Sequence, residues 1–497
     1  MYNMSVIQVV LLSKANISLK IPMYFDLMLR RLPLYLIIVM ALGFNSCTQE
    51  FTSGQLPMVF LDVDGQIRPD DKKDGSFSIE VDNRKVVGGN MGVEYRGSTS
   101  YRLSDKKSYG FEIRTANGNG TPKALLGMPA GSDWILMGHV VRSNGPDELY
   151  AFDPTLMHHY IGYELARSLG MYAARCRWVE LTVNGEYQGV YVLMEKPKAH
   201  RMRIDVGTPS GRKEPGITGG YVLKIDKTAS YAPSGRELSY YDNNWGDDAN
   251  YTGYMSFRSE YDIEGEPMDV EPFRPPYHDQ QYRETYFLFE HPKPNGLNGE
   301  MRNYIEDYMF DFETALLNDD LTSSTRTYTD YIDLSSFADG FIMNELAGNI
   351  DAYRISTFLH KPRGEKLRFG PIWDLNIGYG RQGRVPWEDW IANYNDYVSE
   401  DAWMVPFWWD RLLDDPQFRT MVKNRWSTYR SGPLSDAAIF GLINDTENRL
   451  LSTGAAERNY DLWRSENRTI DFEGEVDFLR YYLEQRLDWM DGEISSW

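Results

Sequence analysis

Two aspartates, Asp351 and Asp374, have the side-chain type and the spacing that phosphoryl transfer requires. The segment between them contains two short β-rich runs, 356–361 and 366–370, joined by a polar Pro-Arg-Gly turn. A hairpin of this size brings its two ends together, so both carboxylates are predicted to face one site. One carboxylate would orient an attacking hydroxyl, and the other would hold magnesium ions on the phosphates. The same spacing also fits two solvated loop aspartates.

Helices are predicted to deliver the chain to this site. Apolar residues at helical spacing predict one helix from Met301 to about Asn318 and a second one that begins at Asp333. The second helix leads directly to Asp351. From Trp403 onward the pattern is again helical, and it ends in a helix over about 473–492.

The first part of the chain is rich in strand patterns. Strands are predicted within 56–61, 76–81, 91–96, 106–113, 134–137 and 219–226. The runs 177–183 and 188–194 flank Asn184 and Gly185, which predict a type I′ hairpin turn. A helix is predicted to begin at Asp153 as N-cap, with Pro154 at its first position, and to end at Gly170.

A small-residue turn, 96–101, lies between two of these strands. Such a turn can present backbone N–H groups to phosphate, and a lysine on the following strand can reach the same oxygens. We assign that lysine to Lys107 rather than Lys106, because alternation from Tyr109 places Lys107 on the apolar strand face. A plain hairpin with a solvated lysine remains the commoner explanation of such a pattern.

Several sequence blocks resemble the spore-coat CotH kinase family. The blocks are Asn-Ile-Asp at 349–351, Gly-Pro-Ile-Trp-Asp-Leu-Asn at 370–376, the turn at 96–101 with the Lys-Lys-Ser-Tyr that follows it, and Val-Asn-Gly-Glu-Tyr-Gln-Gly-Val-Tyr at 183–191. The resemblance covers most of the chain after the leader. It implies an α+β, two-lobed atypical protein-kinase-like fold, with a β-rich N-lobe and a mainly helical C-lobe. It also implies transfer of phosphate from ATP to Ser or Thr hydroxyls of proteins outside the cytoplasm.

The resemblance implies roles for residues in the blocks 349–351 and 370–376. Asp351 would be catalytic, Asp374 would bind Mg²⁺ or Mn²⁺, and Asn376 would be a further metal contact. Two positions depart from the expected pattern. Ser356 stands where a kinase-like fold has a metal-binding Asn, and Asn376 replaces the second aspartate of the family motif. Loss of an anionic ligand weakens Mg²⁺ binding, so reduced activity is one expectation.

The resemblance also implies nucleotide contacts before residue 196. Lys107 would hold the phosphates, and the turn that contains Arg96 and Ser98 would cover them. Glu164 would pair with Lys107, although a solvated helix-flank glutamate fits the pattern equally well. Glu195 would mark the hinge where the adenine ring meets backbone groups.

The first 47 residues read as a lipoprotein leader of the Bacteroidetes type. A basic stretch, 28–31, precedes an apolar run, 32–44, that is too short to cross a bilayer comfortably. Cys47 follows and would be lipidated, with translation starting at Met28 or Met23. An ordinary membrane anchor without lipid is the alternative. The predicted location is the cell envelope, at the outer membrane, facing the periplasm or the surface.

After the leader, residues 48–55 form a tether, 56–196 the N-lobe and 197–497 the C-lobe, with a loop-rich insertion at 228–284 and a helical C-terminal region. The formal charge of −20 argues against nucleic acid as a partner. The expected partners are a nucleotide, an envelope or secreted protein substrate, and the membrane through the lipid. Cys176 is the only cysteine after the leader, which excludes an internal disulfide and predicts a small buried hydrophobe.

Two other functions fit the sequence. The first is a catalytically weak or inactive kinase-like scaffold that acts as a surface-binding protein or adhesin. The second is a carbohydrate-active enzyme, which the 13 tryptophans and many carboxylates would favour. A glycosidase requires a pair of carboxyl groups that flank a sugar, and no motif marks such a pair.

Overall fold

The computed structural model describes residues 54–69, 71–228, 248–274, 278–399 and 401–497. These residues belong to one compact unit, Thr52–Trp497. The predictions for the leader and for most of the tether lie outside the described residues. The predicted insertion at 228–284 is described only in part.

The described residues contain strands in both halves of the chain. They are β1 (Met58–Val63), β2 (Lys73–Val81), β3 (Arg84–Arg96), β4 (Ser108–Arg114), β5 (Lys123–Leu125), β6 (Met128–Gly131), β7 (Asp133–Gly138), β8 (Val141–Ser143), β9 (Leu149–Ala151), β10 (Cys176–Val183), β11 (Glu186–Glu195), β12 (Tyr221–Ile225), β13 (Ser256–Arg258), β14 (Tyr286–His291), β15 (Thr357–Lys361) and β16 (Arg368–Phe369).

Most of the helices follow β14. They are α1 (Thr99–Leu103), α2 (His158–Ser168), α3 (Gly299–Asn318), α4 (Leu334–Ala347), α5 (Tyr394–Tyr397), α6 (Trp408–Asp414), α7 (Pro416–Arg430), α8 (Asp436–Ser452), α9 (Ala455–Leu462) and α10 (Phe472–Ser496). Strands thus dominate the first part of the chain and helices the last part, which confirms the predicted α+β class.

Seven strands close into a barrel in the order β1-β10-β11-β7-β4-β3-β2. All neighbouring pairs are antiparallel except β1 and β10, which are parallel. Phe77, Ile79 and Val81 are buried and alternate with more exposed residues, as the sequence pattern predicts for a half-buried strand. Strand β11 is buried on both faces because α9 packs against its outer side.

A second sheet has the order β13-β14-β12-β15-β16, with every pair antiparallel. Its register places Ile225 opposite Thr357, so the end of β12 lies beside the start of β15. Helix α4 is buried along almost its whole length, and its buried polar side chains Asp339, Asn344 and Glu345 have hydrogen-bond partners. It ends at Gly348, whose left-handed conformation (φ +54°) turns the chain toward the sheet.

Several local predictions are confirmed. Asn184 (φ +49°) and Gly185 (φ +82°) form the turn between β10 and β11, and both have the positive φ of a type I′ turn. Asp333 caps α4 by accepting hydrogen bonds from the backbone N–H groups of Ser335 and Ser336. The predicted hairpin between the two aspartates consists of β15 and β16. Cys176 is a buried free thiol, and burial raises its pKa.

The predicted start of α2 is wrong by four residues. The helix begins at His158, not at Pro154. Leu156 has a positive φ of 63°, which breaks the helix path because an L-residue in that conformation cannot continue a right-handed helix. Asp153 still caps the helix, since its carboxylate accepts hydrogen bonds from the N–H groups of Met157 (3.3 Å) and His158 (2.9 Å).

The predicted small-residue turn at 96–101 also differs from the structure. Gly97 (φ +96°) turns the chain, and the short helix α1 follows directly. The carbonyl oxygen of Ser98 accepts a hydrogen bond from the N–H of Arg102 at 3.1 Å. Part of the segment expected to cover a phosphate with free N–H groups is therefore helical.

Candidate functional site

Asn349 joins the two segments that carry the aspartates. Its side-chain Nδ2 donates to the Oδ1 of Asn344 at 3.0 Å and lies 3.4 Å from the carbonyl oxygen of Trp373. Its Oδ1 accepts a hydrogen bond from the N–H of Asp351 at 3.3 Å. Asn349 is buried, so these bonds are shielded from water. One amide side chain thus fixes the chain before Asp351 against the chain before Asp374.

Asp351 is an acidic group in a largely dry position. Its side chain is 14% exposed, and its Oδ1 lies 3.0 Å from Nη2 of Arg354. Burial raises the pKa of Asp351, and the nearby charges of Arg354 and Lys227 oppose this rise without cancelling it. The carboxylates of Asp374 and Asp226 raise the same pKa further. The three carboxylates are therefore close enough to interact electrostatically.

Asp374 has a strained backbone conformation and is the more exposed of the two predicted aspartates. It has a positive φ of 59°, and its backbone N–H donates to the hydroxyl of Tyr163 at 3.3 Å. Its Oδ1 lies 3.6 Å from Nε2 of the buried His159, and its side chain is 32% exposed. Burial alone would raise the pKa of Asp374, but His159, Arg96 and Lys224 outweigh burial and lower it.

Ser356 connects Asp374 to a carboxylate that sequence reasoning missed, Asp226. The Oγ of Ser356 lies 3.4 Å from Oδ2 of Asp374, and its backbone N–H donates to Oδ1 of Asp226 at 3.1 Å. Asp226 also forms an ion pair with Lys224. The sequence shows Asp226 at the end of a predicted strand, but its contact with Ser356, 130 positions away, depends on the register of β12 and β15.

Arg96 lies beside Asp374, at the end of β3. Its guanidinium carbon is 5.6 Å from the centre of the Trp373 ring. Its Nη1 atom is buried and meets no hydrogen-bond partner among the described residues. Burial lowers the pKa of Arg96, and Asp374 is the strongest of the charges that oppose this shift. A buried guanidinium nitrogen without a partner is costly, so it is suited to receive an anionic oxygen from a ligand.

Ser98, predicted to cover the phosphates, contacts a different carboxylate. Its Oγ donates to Oδ2 of Asp248 at 2.8 Å, and Arg102 forms a buried ion pair with the same carboxylate at 2.7 Å. Helix α1 is thus tied to residues just after the undescribed part of the insertion. The first residue of α1, Thr99, is linked to the site by Lys227, the residue after Asp226. The Lys227 ammonium donates to Oγ1 of Thr99 at 3.1 Å.

Lys107 does not reach the carboxylates. Its ammonium donates to the carbonyl oxygens of Tyr101 (2.7 Å) and Ser104 (2.6 Å), at the C-terminal end of α1. Lysine at a helix C-terminus satisfies carbonyl groups that lack partners within the helix. Lys106, its neighbour, is buried and donates to the Val190 carbonyl and to Oδ1 of Asn459. Strand β4 begins only at Ser108, so the alternation used to orient Lys107 does not extend to it.

The expected pair of Glu164 with Lys107 is not formed. Glu164 forms an ion pair with Arg167, one turn along α2, as residues three positions apart on a helix can. Glu195 is fully buried and pairs with Arg175 at 3.0 Å and with Arg203 at 3.4 Å. Both glutamates thus form their ion pairs with arginines and not with Lys107.

Asn376 lies two residues after Asp374. Its side-chain Oδ1 is buried without a hydrogen-bond partner in the described residues, and its backbone oxygen lies 3.2 Å from Nδ1 of His158. An unsatisfied buried carbonyl oxygen is an acceptor that a cation or a donor of a ligand can satisfy. Its role as a metal contact remains a prediction.

These residues fit a divalent ion and a phosphate together. Mg²⁺ usually takes one or two carboxylates and completes its shell with waters and substrate phosphates. Asp374 can supply a carboxylate, the side-chain oxygen of Asn376 can be a further ligand, and Nη1 of Arg96 can meet a phosphate oxygen. Among the described residues no three His, Cys, Asp or Glu side chains form a ready-made metal cluster.

The predicted lipidation site, Cys47, lies outside the described residues. Within the part of the chain that the structure describes, no helix has the length and apolar character needed to cross a membrane.

Comparison with known proteins identifies the family. A search of curated proteins returned no match. The family model described as CotH kinase protein matches residues 93–490, a span that begins within β3 and ends within α10 and contains Asp226, Asp351 and Asp374. This match covers most of the chain, and the protein therefore belongs to the CotH kinase family.

Proposed function

We propose that this protein is an ATP-dependent protein kinase of the cell envelope, which transfers the γ-phosphate to Ser or Thr hydroxyl groups. The observation that supports this most is that Asn349 binds the backbone at both Asp351 and Trp373, which brings the two aspartate segments together beside an Arg96 nitrogen without a partner among the described residues. Membership of a kinase family makes ATP and a divalent metal the expected ligands. The proposed architecture is two-lobed, with residues 56–196 as one lobe and 197–497 as the other.

Different side chains of the protein would bind the metal ion, the phosphates and the acceptor hydroxyl. Bound ATP with Mg²⁺ or Mn²⁺ supplies the phosphoryl group. Asp374 and Asn376 hold the ion, and Arg96 donates to phosphate oxygens. Asp351 orients the acceptor hydroxyl and takes its proton, a role favoured by a pKa that burial raises above that of a free aspartate. Arg354 holds one oxygen of Asp351 and thereby limits its rotation.

The location and the partner belong to the same proposal. Lipidation at Cys47 would place the enzyme at the outer membrane, facing the periplasm or the surface. Its substrates would then be envelope or secreted proteins. The leader pattern before Cys47 supports this location.

A second candidate function is a binding protein built on the same scaffold. Ser356 stands where a kinase-like fold carries a metal-binding Asn, and Asn376 is uncharged. Both differences reduce the number of strong metal ligands. They favour an adhesin or another surface-binding role in which nucleotide binding is weak or lost.

Incubation of the soluble protein from Gln49 with radiolabelled ATP and Mg²⁺ or Mn²⁺ tests the two candidates. A kinase should label itself or an added envelope extract, and Asp374→Asn should abolish the label. Melting curves give an independent measure, because a ligand at a hundred times its dissociation constant stabilises a protein by about 2.7 kcal/mol. No labelling together with no shift at millimolar ATP would favour the binding protein.

A further inference from the structure

Lys224 lies at the candidate site, although it belongs to no sequence block that marked a nucleotide contact. It is on β12, opposite Phe358 of β15, and its ammonium is 5.1 Å from the centre of the Phe358 ring. It forms an ion pair with Asp226, and each of the two side chains is 13% exposed. Asp226 in turn accepts the backbone N–H of Ser356 at 3.1 Å, and the Oγ of Ser356 lies 3.4 Å from Oδ2 of Asp374.

Two cations thus flank Asp374, and they come from different parts of the fold. Arg96 is at the end of β3 in the barrel, and Lys224 is in the five-stranded sheet. The guanidinium carbon of Arg96 lies 5.6 Å from the ring centre of Trp373, the residue before Asp374, and Lys224 is linked to Asp374 through Asp226 and Ser356. A polyphosphate bound at Asp374 through a divalent ion would carry more negative charge than one ion neutralises, and lysine and arginine are the side chains that balance such charge.

A phosphate oxygen could replace Asp226 as the ionic partner of Lys224. At 13% exposure the Lys224 ammonium is largely shielded from water and needs an anionic partner, and a phosphate oxygen could take the place of the carboxylate. Asp226 has a second bond that does not depend on Lys224, because its Oδ1 accepts the backbone N–H of Ser356. The carboxylate would therefore stay in place if the ammonium moved. Lys107, in contrast, satisfies two carbonyl oxygens at the end of α1 and would leave them unpaired if it moved.

We propose that Lys224 binds the terminal phosphates of the nucleotide, and that Asp226 is a positioning residue that holds the Lys224 ammonium at the site when no nucleotide is bound. The inference rests on the proposed kinase function and changes its lysine from Lys107 to Lys224. The ligand class is a nucleoside triphosphate with its divalent ion.

Calorimetric titration of the full chain in detergent with a non-hydrolysable ATP analogue and Mn²⁺ tests the assignment. Lys224→Met should weaken binding by about tenfold or more, as loss of a hydrogen bond to a charged group does. Lys224→Arg should recover much of the affinity. Binding of adenosine, which has no phosphates, should be unchanged in both variants, and this readout separates phosphate binding from a general loss of structure.

Two further lysines provide controls. Lys107→Met should lower the melting temperature and leave the affinity for the analogue unchanged. Like Lys224, Lys73 forms an ion pair with an aspartate two residues away, Asp71, at 2.5 Å, but it lies in the barrel strand β2. Lys73→Met therefore removes a comparable lysine from a different sheet. It should affect neither property. Unchanged affinity in Lys224→Met, or a tenfold loss in Lys107→Met instead, would overturn the assignment.

The role of Asp226 has its own test. Asp226→Asn keeps an oxygen for the Ser356 N–H but removes the negative charge that holds Lys224. Affinity for the analogue should be equal to or higher than that of the wild type. A loss of affinity would show that Asp226 is not merely a resting partner. If the wild type transfers phosphate while Lys224→Met binds normally, the inference fails and the kinase proposal stands. If the wild type binds no nucleotide, both fail.

Discussion

The hydroxyl of Ser356 lies 3.4 Å from the carboxylate of Asp374, and the backbone N–H of the same serine donates to Asp226. The residue that replaces the asparagine expected in a kinase-like fold is therefore still in contact with two carboxylates of the site. Ser356 has a positive φ of 51°, which a non-glycine residue adopts only where its surroundings hold it. The position thus contributes to the geometry of the site.

Asp351 and Asp374 should differ in their effect on nucleotide binding. Asp374→Asn should lose transfer and the metal-dependent part of the affinity, because a metal ligand acts in the bound ground state. Asp351→Asn should lower transfer by about a hundredfold or more, as removal of a general base does, and bind nucleotide nearly normally. Calorimetry with a non-hydrolysable ATP analogue measures both. Equal loss of affinity would make Asp351 a metal ligand too.

Gly162 on α2 should control the position of the segment that carries Asp374. A Cβ at Gly162 would lie 2.0 Å from Cδ1 of Leu375 and 2.9 Å from the hydroxyl of Tyr379. Gly162→Ala should therefore displace this segment, lower transfer and reduce the free energy of unfolding by about 1–3 kcal/mol.

Gly441→Ala on α8 is the matched control for Gly162→Ala. A Cβ there meets no atom within 4 Å, so this variant should be as stable as the wild type or more stable by up to about 1 kcal/mol. Denaturant unfolding and a transfer assay compare the two variants. Normal transfer in Gly162→Ala would mean that the segment adapts without cost.

Glu313 should make stability fall as the pH rises. It is buried on α3, accepts hydrogen bonds from Ser259 and Trp408, and burial raises its pKa to about 8 from an ordinary 4.5. Between these values the folded protein keeps a proton that the unfolded chain releases. The free energy of unfolding should therefore fall with rising pH in this window, by at most about 1.4 kcal/mol per pH unit.

Urea unfolding of Glu313→Gln across roughly pH 5 to 8 isolates this contribution. The neutral side chain should remove that part of the pH dependence and raise stability at the alkaline end. Glu300→Gln, at an exposed position of the same helix, should keep the wild-type slope. A wild-type slope in Glu313→Gln would refute the raised pKa.

The buried pair of Arg486 and Glu345 should fix α10 against α4. Their side chains are 1% and 0% exposed, and Nη2 lies 2.9 Å from Oε2. Arg486→Met should cost about 3–5 kcal/mol, because it leaves a buried carboxylate without its charge partner. Adding Glu345→Gln should recover part of this loss. Arg480→Met, on the same helix but more exposed, should cost at most about 1 kcal/mol in the same thermal or denaturant measurement.

Lipidation at Cys47 predicts membrane association of the whole chain. Cys47→Ser should move the protein from the membrane fraction to the soluble fraction, because a thioether-linked lipid needs the thiol. Metabolic labelling with palmitate should mark the wild type and not the variant. Absence of label in the wild type would leave an unlipidated anchor as the remaining explanation of the apolar run at 32–44.

Local sequence signals predicted the local structure well. The β10–β11 turn, the start of α4 and the β15–β16 hairpin each depend on residues close together in the chain, and all three are confirmed. The start of α2 was misjudged because Leu156 adopts a positive φ that no sequence pattern marks. Asp226 was missed because its contact with Ser356 spans 130 positions and depends on strand register.

The orientation of the Lys107 side chain also could not be predicted from the sequence. Side chains alternate between the two faces of a sheet only within a strand, and β4 begins at Ser108, one residue after Lys107. The lysine is then directed by the nearest unsatisfied carbonyl groups, which α1 provides. The sequence could not show this, because α1 itself was predicted as a turn.

The parallel pairing of β1 with β10 constrains when the chain can fold. Met58 pairs with Glu180, so the first strand has no parallel neighbour until more than a hundred further residues have been made. Asn459 then bonds Val190 and Lys106 from near the C-terminus. Contacts so distant in sequence slow folding, because long loops must close first. The barrel therefore cannot close on a partly synthesised polypeptide that still lacks β10 and β11.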